Sequence, residues 1–310
     1  MKHTILGAGG SVGNPLAIEL LKNKEEVRLV SRSGFLIEGA ESVKGDLCSY
    51  AETLNGVKGS DVVYLCAGLK YDIKVWTEQW PKIMQNAIDA CKKENAKLIF
   101  FDNVYMYGKV DGPMTEETPY NPCSRKGEVR VKIARMLEEE YQKGNLTASI
   151  ARAADLYGPH AAQSSLPYFM VIEKFMKGKS AQWMVDISKT HSYTYTIDCA
   201  RALILMANDD ASFNQVWHLP TCNPAPTGLS LVEMFADGLS VPAKYSMLKK
   251  WMIAAAGLFD KTISEVYEML YQYEYDYHFD STKFNRYFNY EPISYFEGVK
   301  ETVSYFKGRS

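Results

Sequence analysis

The sequence has no C-x-x-C pair, no long apolar run and no excess of basic charge. Its six cysteines, Cys48, Cys66, Cys91, Cys123, Cys199 and Cys222, are scattered along the chain. That spacing argues against a zinc site or a redox dithiol and for reduced thiols; no metal is expected. Thirty-five basic residues against 37 acidic leave a net charge of −2, so no overall positive field exists to hold nucleic acid or an acidic membrane. The opening MKHTILGAGG lacks the apolar stretch of a signal peptide, and the most apolar late stretch, 251–259, is far too short to span a bilayer. A cytoplasmic protein without nucleic-acid or membrane partners is expected. No internal repeat or low-complexity linker is present.

What is there is an alternation. Residues 3–6, 27–31, 62–66, 97–101 and 147–151 are short apolar strands. Between them, Val12, Leu16 and Leu20 mark one helical stripe; Trp80, Ile83, Met84, Ala87, Ile88 and Cys91 mark a second; and Val129, Ile133, Met136 and Leu137 mark a third, ending near Gly144. Strand and helix in turn mean parallel strands joined by crossovers, a doubly wound α/β sheet. The second half is broken by Pro167, Pro220, Pro224, Pro226 and Pro242. It predicts helices over 230–239 and 247–259, and a strand through Tyr273, Tyr275, Tyr277 and Phe279. It reads as a smaller unit at the carboxyl ends of the strands, where open sheets of this kind place their ligand crevice.

The segment Leu6-Gly7-Ala8-Gly9-Gly10-Ser11-Val12-Gly13 joins the first strand to the first helix. Glycines at 7, 10 and 13 suit a sharp turn, a close approach of pyrophosphate to bare backbone, and tight helix packing. The helix N-terminus adds open N–H groups and a positive dipole end. This context predicts dinucleotide binding by Gly7, Gly10, Ser11, Val12 and Gly13. Ser31-Arg32-Ser33 closes the second strand where an acidic residue would bind a ribose 2′-hydroxyl. Ser31 and Arg32 suit a 2′-phosphate instead, so NADP is preferred with NAD as the alternative. Asp46 and Leu47 flank the adenine, and Cys66, Ala67 and Gly68 lie beside the cofactor.

With these residues in view, the chain resembles the short-chain dehydrogenase/reductase superfamily, most of all its extended epimerase/dehydratase branch. Also similar are the Gly45-Asp46-Leu47 tripeptide, the run Phe101-Asp102-Asn103-Val104-Tyr105-Met106-Tyr107-Gly108, the run Arg152-Ala153-Ala154-Asp155-Leu156-Tyr157-Gly158-Pro159, and Tyr195 to Ala200. The resemblance implies an NAD(P)-binding Rossmann fold over 1–158, a smaller C-terminal α/β substrate unit over 159–310, and a return of 193–220 to the first unit. It implies a small-molecule substrate and a possible homodimer through two Rossmann-side helices.

The chain departs from the family at its chemistry. The family's catalytic serine falls on Asn103, and its Tyr-x-x-x-Lys pair is absent. Lys126 takes the tyrosine position and Arg130 the lysine position. A lysine acting on the proton is the arrangement of an atypical, isoflavone-reductase-like branch. Lys126 and Arg130 share a helix face, and a neighbouring cation with desolvation would disfavour the ammonium. The catalytic candidates are therefore Lys126, Asn103 and Arg130, set against a plain solvated basic helix start for Lys126 and a strand-end cap for Asn103. Asp102 is a possible partner for a lysine or a substrate hydroxyl. His191 stands where nucleotide-sugar enzymes carry an arginine for the diphosphate, and His160 sits at the entrance to the second unit. Three functions stay open: an oxidoreductase or epimerase-like enzyme of atypical chemistry, a cofactor sensor without catalysis, and a nucleotide-sugar epimerase with relocated groups.

Overall fold

The computed structural model describes residues 1–308. Its elements are, in order, β1 (Lys2–Leu6), α1 (Gly13–Lys22), β2 (Glu26–Ser31), β3 (Glu41–Lys44), α2 (Tyr50–Val57), β4 (Val62–Leu65), α3 (Ile73–Glu94), β5 (Lys97–Asp102), β6 (Pro113–Met114), α4 (Arg125–Gln142), β7 (Ala148–Arg152) and β8 (Asp155–Tyr157). There follow α5 (Glu173–Met176), β9 (Ala181–Met184), β10 (Tyr193–Tyr195), α6 (Thr196–Ala207), β11 (Val216–His218), α7 (Gly228–Leu239), β12 (Tyr245–Leu248), α8 (Lys250–Gly257), α9 (Lys261–Tyr267), β13 (His278–Phe279), α10 (Thr282–Tyr287) and α11 (Tyr295–Lys307).

The central sheet has seven strands in the order β11-β7-β5-β4-β1-β2-β3, and every pairing is parallel. Parallel sheets need both faces covered. One face packs against α2, α3 and α4 through Trp80, Ile83, Met84, Ile133 and Leu137. The other packs against α1 and α6 through Leu16, Leu20, Leu203 and Met206. β4 is wholly buried, as its unbroken apolar run requires. A third core joins α7, α11, β9 and β10 around Trp183, Phe235, Leu231 and Val299. This is the smaller unit, and its short parallel pairs β8–β10, β9–β12 and β6–β13 lie at the carboxyl side of the sheet.

Two predicted elements differ. The expected helix over 247–259 begins only at Lys250, because residues 245–248 pair with β9. The expected strand through Tyr273 and Phe279 is instead a 3₁₀ turn over Leu270–Tyr273 and a two-residue strand. The alternation fails at Tyr275, which is exposed beneath the Lys109 ammonium while Tyr273, Tyr277 and Phe279 are buried. Asp276 accounts for the break: it leaves the strand path to accept hydrogen bonds from Thr190 N and Oγ1, both at 2.9 Å.

Candidate functional site

The first region of the site is built by backbone. Gly7 N and Ala8 N both donate to the Val30 carbonyl, at 3.0 and 3.1 Å, and so fasten the turn to the end of β2. Gly7 has φ +90, and a Cβ there would lie 2.4 Å from Ala67 Cα, so only glycine fits. Among the described residues, the amides of Gly9, Gly10, Ser11 and Val12 donate to no protein acceptor. Open amides ahead of α1, set in a cradle that any side chain would fill, fit the pyrophosphate of a dinucleotide. Ser11 Oγ accepts a hydrogen bond from Ser164 Oγ at 2.7 Å, so the chain entering the smaller unit touches this turn.

The other predicted cofactor residues gather nearby at the strand ends. Ser31 Oγ accepts from Phe35 N at 2.8 Å, which shapes the loop that leaves Arg32 exposed. Asp46 follows β3, and its Oδ1 caps Cys48 N at 2.9 Å. Leu47 is buried and its carbonyl accepts from Asn86 Nδ2 at 2.8 Å. Cys66, Ala67 and Gly68 extend β4 past its last paired residue. Burial pushes the Cys66 thiol up to about 12, so it is inert wall. Gly68 is exposed with open space about it.

The second region is built by side chains. Ser124 Oγ accepts from Gly127 N at 3.0 Å and starts α4. This puts Lys126 in the first turn, pointing into the fold at 0% exposure. A cation at a helix N-terminus opposes the dipole and needs anions. They come from α9 and the residue just past it. Lys126 Nζ donates to Glu265 Oε2 at 2.5 Å, Glu268 Oε1 at 2.6 Å and the Glu265 carbonyl at 3.0 Å. Glu265 Oε2 also accepts from Ile73 N, the first residue of α3, at 3.1 Å. Glu268 Oε2 accepts from Arg125 N at 3.1 Å. Two carboxylates thus lie between the N-termini of two helices and a buried ammonium, with the Tyr71 ring 4.5 Å from Nζ.

This placement corrects the expected surroundings of Lys126. It is neither solvated nor beside a cation. Arg130 turns away to Asp102, with Nη1 3.2 Å from Oδ1, and stacks over Trp80 at 4.2 Å and Trp76 at 4.7 Å. A buried guanidinium seeks a carboxylate and aromatic faces, and both lie behind the helix. Burial pushes the Asp102 carboxyl up, against the pull of Arg130 and Arg152. Asn103 caps the strand end, its Oδ1 accepting from Tyr105 N at 3.1 Å. Asp102 therefore holds two arginines rather than a lysine.

The remaining histidines are held. His191 lies between the parallel rings of Tyr277 and Tyr273, at 4.3 and 4.8 Å, with Nε2 3.0 Å from Asp155 Oδ2. His160 pairs with Tyr305 at 2.9 Å. Sequence reasoning missed Glu265 and Glu268, 139 and 142 residues away from Lys126. The available signal was Asp260, which caps α9 through Thr262 N and Ile263 N and announces a helix leading through both acids.

The parallel sheet, with the glycine turn between its first strand and first helix, defines a Rossmann-fold protein of short-chain dehydrogenase/reductase type. Within that class the chain belongs to the NAD-dependent epimerase/dehydratase family, whose sequence profile matches residues 3–218. It is 20% identical over 226 residues to an uncharacterised UDP-glucose epimerase of Bacillus subtilis, covering 66% of this chain and 71% of that one. It is 27% identical over 237 residues to a UDP-N-acetyl-α-D-glucosaminuronate decarboxylase of Bacillus cytotoxicus, covering 64% and 69%. Among solved structures, the UDP-glucose 4-epimerase of Thermus thermophilus in complex with NAD superimposes with a TM-score of 0.82 at 17% identity over all of both chains. Among the described residues, no helix is long and apolar enough to cross a membrane.

Proposed function

We propose that this chain is an NAD(P)-dependent enzyme that oxidises and reduces a hydroxylated small molecule, with Lys126 and Glu265 moving the proton. The observation that carries this reading is the 2.5 Å contact of Lys126 Nζ with Glu265 Oε2, at the helix position where the family resemblance puts the proton-handling group. The dinucleotide would be held by the amides of Gly9 to Val12, by Gly7 and Gly13 through their lack of a side chain, and by Ser31 and Arg32 at the ribose. Bound there, it supplies the acceptor and donor of hydride. Oxidation of an alcohol also releases the hydroxyl proton, and a general base within hydrogen-bond reach speeds that loss. Glu268, the more exposed of the two acids, yields its place on Nζ to the substrate hydroxyl. Nζ first passes a proton to Glu265, which frees its lone pair to take the hydroxyl proton. Asn103, Asp102 and Arg130 hold the wall behind it.

Arg32 supports NADP over NAD, since it is exposed and pairs with no carboxylate among the described residues. The relatives' UDP-sugars are the first substrates to try. His191 and Asp155, however, offer a diphosphate a locked ring and a negative charge, so a substrate without diphosphate fits this wall better.

A second reading, cofactor binding without turnover, is favoured by one fact: all three N–H donors of Lys126 already have acceptors. One experiment separates the two. Wild type, Lys126→Met and Glu265→Gln are mixed with NAD⁺ or NADP⁺ and a panel of UDP-sugars, dTDP-sugars and simple polyols, and nicotinamide absorbance is followed across pH. The enzyme reading expects turnover that falls at least ~100-fold in Lys126→Met while cofactor still raises its melting temperature. Cofactor binding by wild type with no absorbance change and no new sugar or polyol product by chromatography on any compound gives the second reading.

A further inference from the structure

The apolar stretch that is too short to cross a bilayer lies on the surface. α8 and α9 form a helical hairpin. Ile253 faces inward, and a Cβ on Gly257 would lie 3.1 Å from Ser264 Cα, so glycine lets the two helices close up. The opposite face carries Trp251, Ala255 and Leu258 on one helical stripe and Met252, Ala255 and Phe259 on the next. Trp251 is 68% exposed, Leu258 82% and Phe259 93%. Single exposed apolar residues are ordinary, but a contiguous set at the tip of one hairpin marks an interaction surface.

Charge surrounds that tip. Residues 243–261 contain four lysines, Lys244, Lys249, Lys250 and Lys261, and one acid, Asp260, in a chain whose net charge is −2. Asp260 is turned into its own helix as the cap of α9. Lys250 and Lys261 pair with Glu274 and Asp72, whereas Lys244 and Lys249 pair with no carboxylate among the described residues. With those partners counted, the positive charge left over is that of Lys244 and Lys249 against the capping Asp260.

We propose that the α8–α9 hairpin docks the protein on an anionic lipid surface, with Trp251, Leu258 and Phe259 entering the headgroup–acyl boundary and the lysines meeting lipid phosphates. Exposed tryptophan, leucine and phenylalanine with lysines beside them are the residue types that bind an anionic membrane interface. The exposed apolar set is four large side chains, Trp251, Met252, Leu258 and Phe259, with lysines that are unpaired among the described residues beside it, and lipid accepts such a set without needing a complementary surface.

The other four tryptophans, Trp76, Trp80, Trp183 and Trp217, are buried, so Trp251 reports on this contact. The full chain is floated with vesicles of phosphatidylcholine alone and of phosphatidylcholine mixed with phosphatidylglycerol, at low and high salt. The expected result is flotation with the mixed vesicles, weakened by salt, with a blue shift of the fluorescence and quenching by brominated acyl chains. Leu258→Ser with Phe259→Ser lowers vesicle binding at least ~10-fold; Lys249→Ser weakens it less; Trp251→Phe removes the fluorescence change and keeps flotation. Circular dichroism confirms that each variant is folded. No binding to the mixed vesicles at low salt overturns the proposal. So does equal binding to neutral vesicles, or a concentration-dependent dimer that Phe259→Ser dissolves.

Discussion

The glycine turn and the Lys126 cluster both follow the carboxyl ends of sheet strands, and they are made of different materials. The turn is backbone: a positive φ at Gly7, two amides on Val30 and a row of open N–H groups, all within a few residues of β1. The cluster is side chain: a lysine from α4, two glutamates from α9 and its C-terminal edge, and the first amides of α3 and α4. The first admits no Cβ at Gly7. The second depends on charges that must all be present together. This difference sets both what each region can do and how each should fail.

Gly7→Ala is the harshest test of the backbone region. The new methyl would meet Ala67 Cα at 2.4 Å, main chain that cannot step aside. Added to a φ that alanine avoids, this costs more than ~3 kcal/mol. Urea denaturation should show that loss, and NAD(P)H should no longer raise the melting temperature. A variant of wild-type stability that still binds cofactor would remove the steric account of the turn.

Glu265→Ala attacks the other region and should cost somewhat less. It strips Lys126 of its nearest carboxylate and Ile73 N of its acceptor, while Glu268 remains. Breaking a buried pair on one side costs ~3–5 kcal/mol, and the surviving acid places this case at the low end. Glu265→Gln keeps an acceptor and should lose less than half as much. Equal losses in the two variants would mean that shape rather than charge holds α9 in place.

The same contrast explains what the sequence disclosed. The parallel sheet was legible through five of its seven strands, because those strands and the helices between them carry their own periods; β3 and β11 are too short or too polar to show one. The residues proposed to hold the cofactor could be listed from the sequence because they follow the strand ends that position them. Lys126 was singled out by the family resemblance, but its neighbours were not, since Glu265 joins it from 139 residues away and only folding brings them together. The expected cation beside it, Arg130, was misplaced for the same reason: spacing along a helix gives a face but not a rotamer, and Asp102 with the Trp76 and Trp80 rings decided the rotamer. The strand read into residues 273–279 failed because Asp276 found a partner in Thr190 that no periodicity contains.

Behind the side-chain region lies a pH-sensitive support. His218 is buried on β11; its Nδ1 donates to the Asp280 carbonyl at 2.9 Å, and its Nε2 accepts from Tyr107 Oη at 2.7 Å. Tyr107 Oη in turn accepts from Arg152 at 2.7 Å. Burial first, then the Arg152 charge, push this histidine down to about 3 from its ordinary 6.5. The unfolded chain therefore binds a proton near pH 6.5 that the folded chain refuses. The stabilisation is whole above that pH and is lost as pH falls toward 3. Between pH 7 and pH 5 the loss should be ~2 kcal/mol, read as a falling urea midpoint. His218→Gln, less stable at pH 7, should show a flatter profile over that window. A parallel slope in both proteins would assign the acid sensitivity to other groups.

The smallest effect belongs to Arg32, and it asks whether the backbone region owes anything to a side chain. The turn amides treat NAD and NADP alike, because both carry the same pyrophosphate. Discrimination must come from the end of β2, where Ser31 Oγ is engaged by Phe35 N and Arg32 stands exposed beside it. An exposed guanidinium on a phosphate is a screened, solvent-facing contact worth ~1 kcal/mol, or roughly a fivefold change in affinity. Arg32→Ala should therefore weaken NADP about fivefold at low salt, leave NAD unchanged, and lose most of its effect at high salt. Paired thermal-shift titrations with the two cofactors measure this directly. If Arg32→Ala weakened both equally, the arginine would be acting on the loop that carries it. If it weakened neither, recognition at this end would rest on backbone alone, and the contrast between the two regions would be complete.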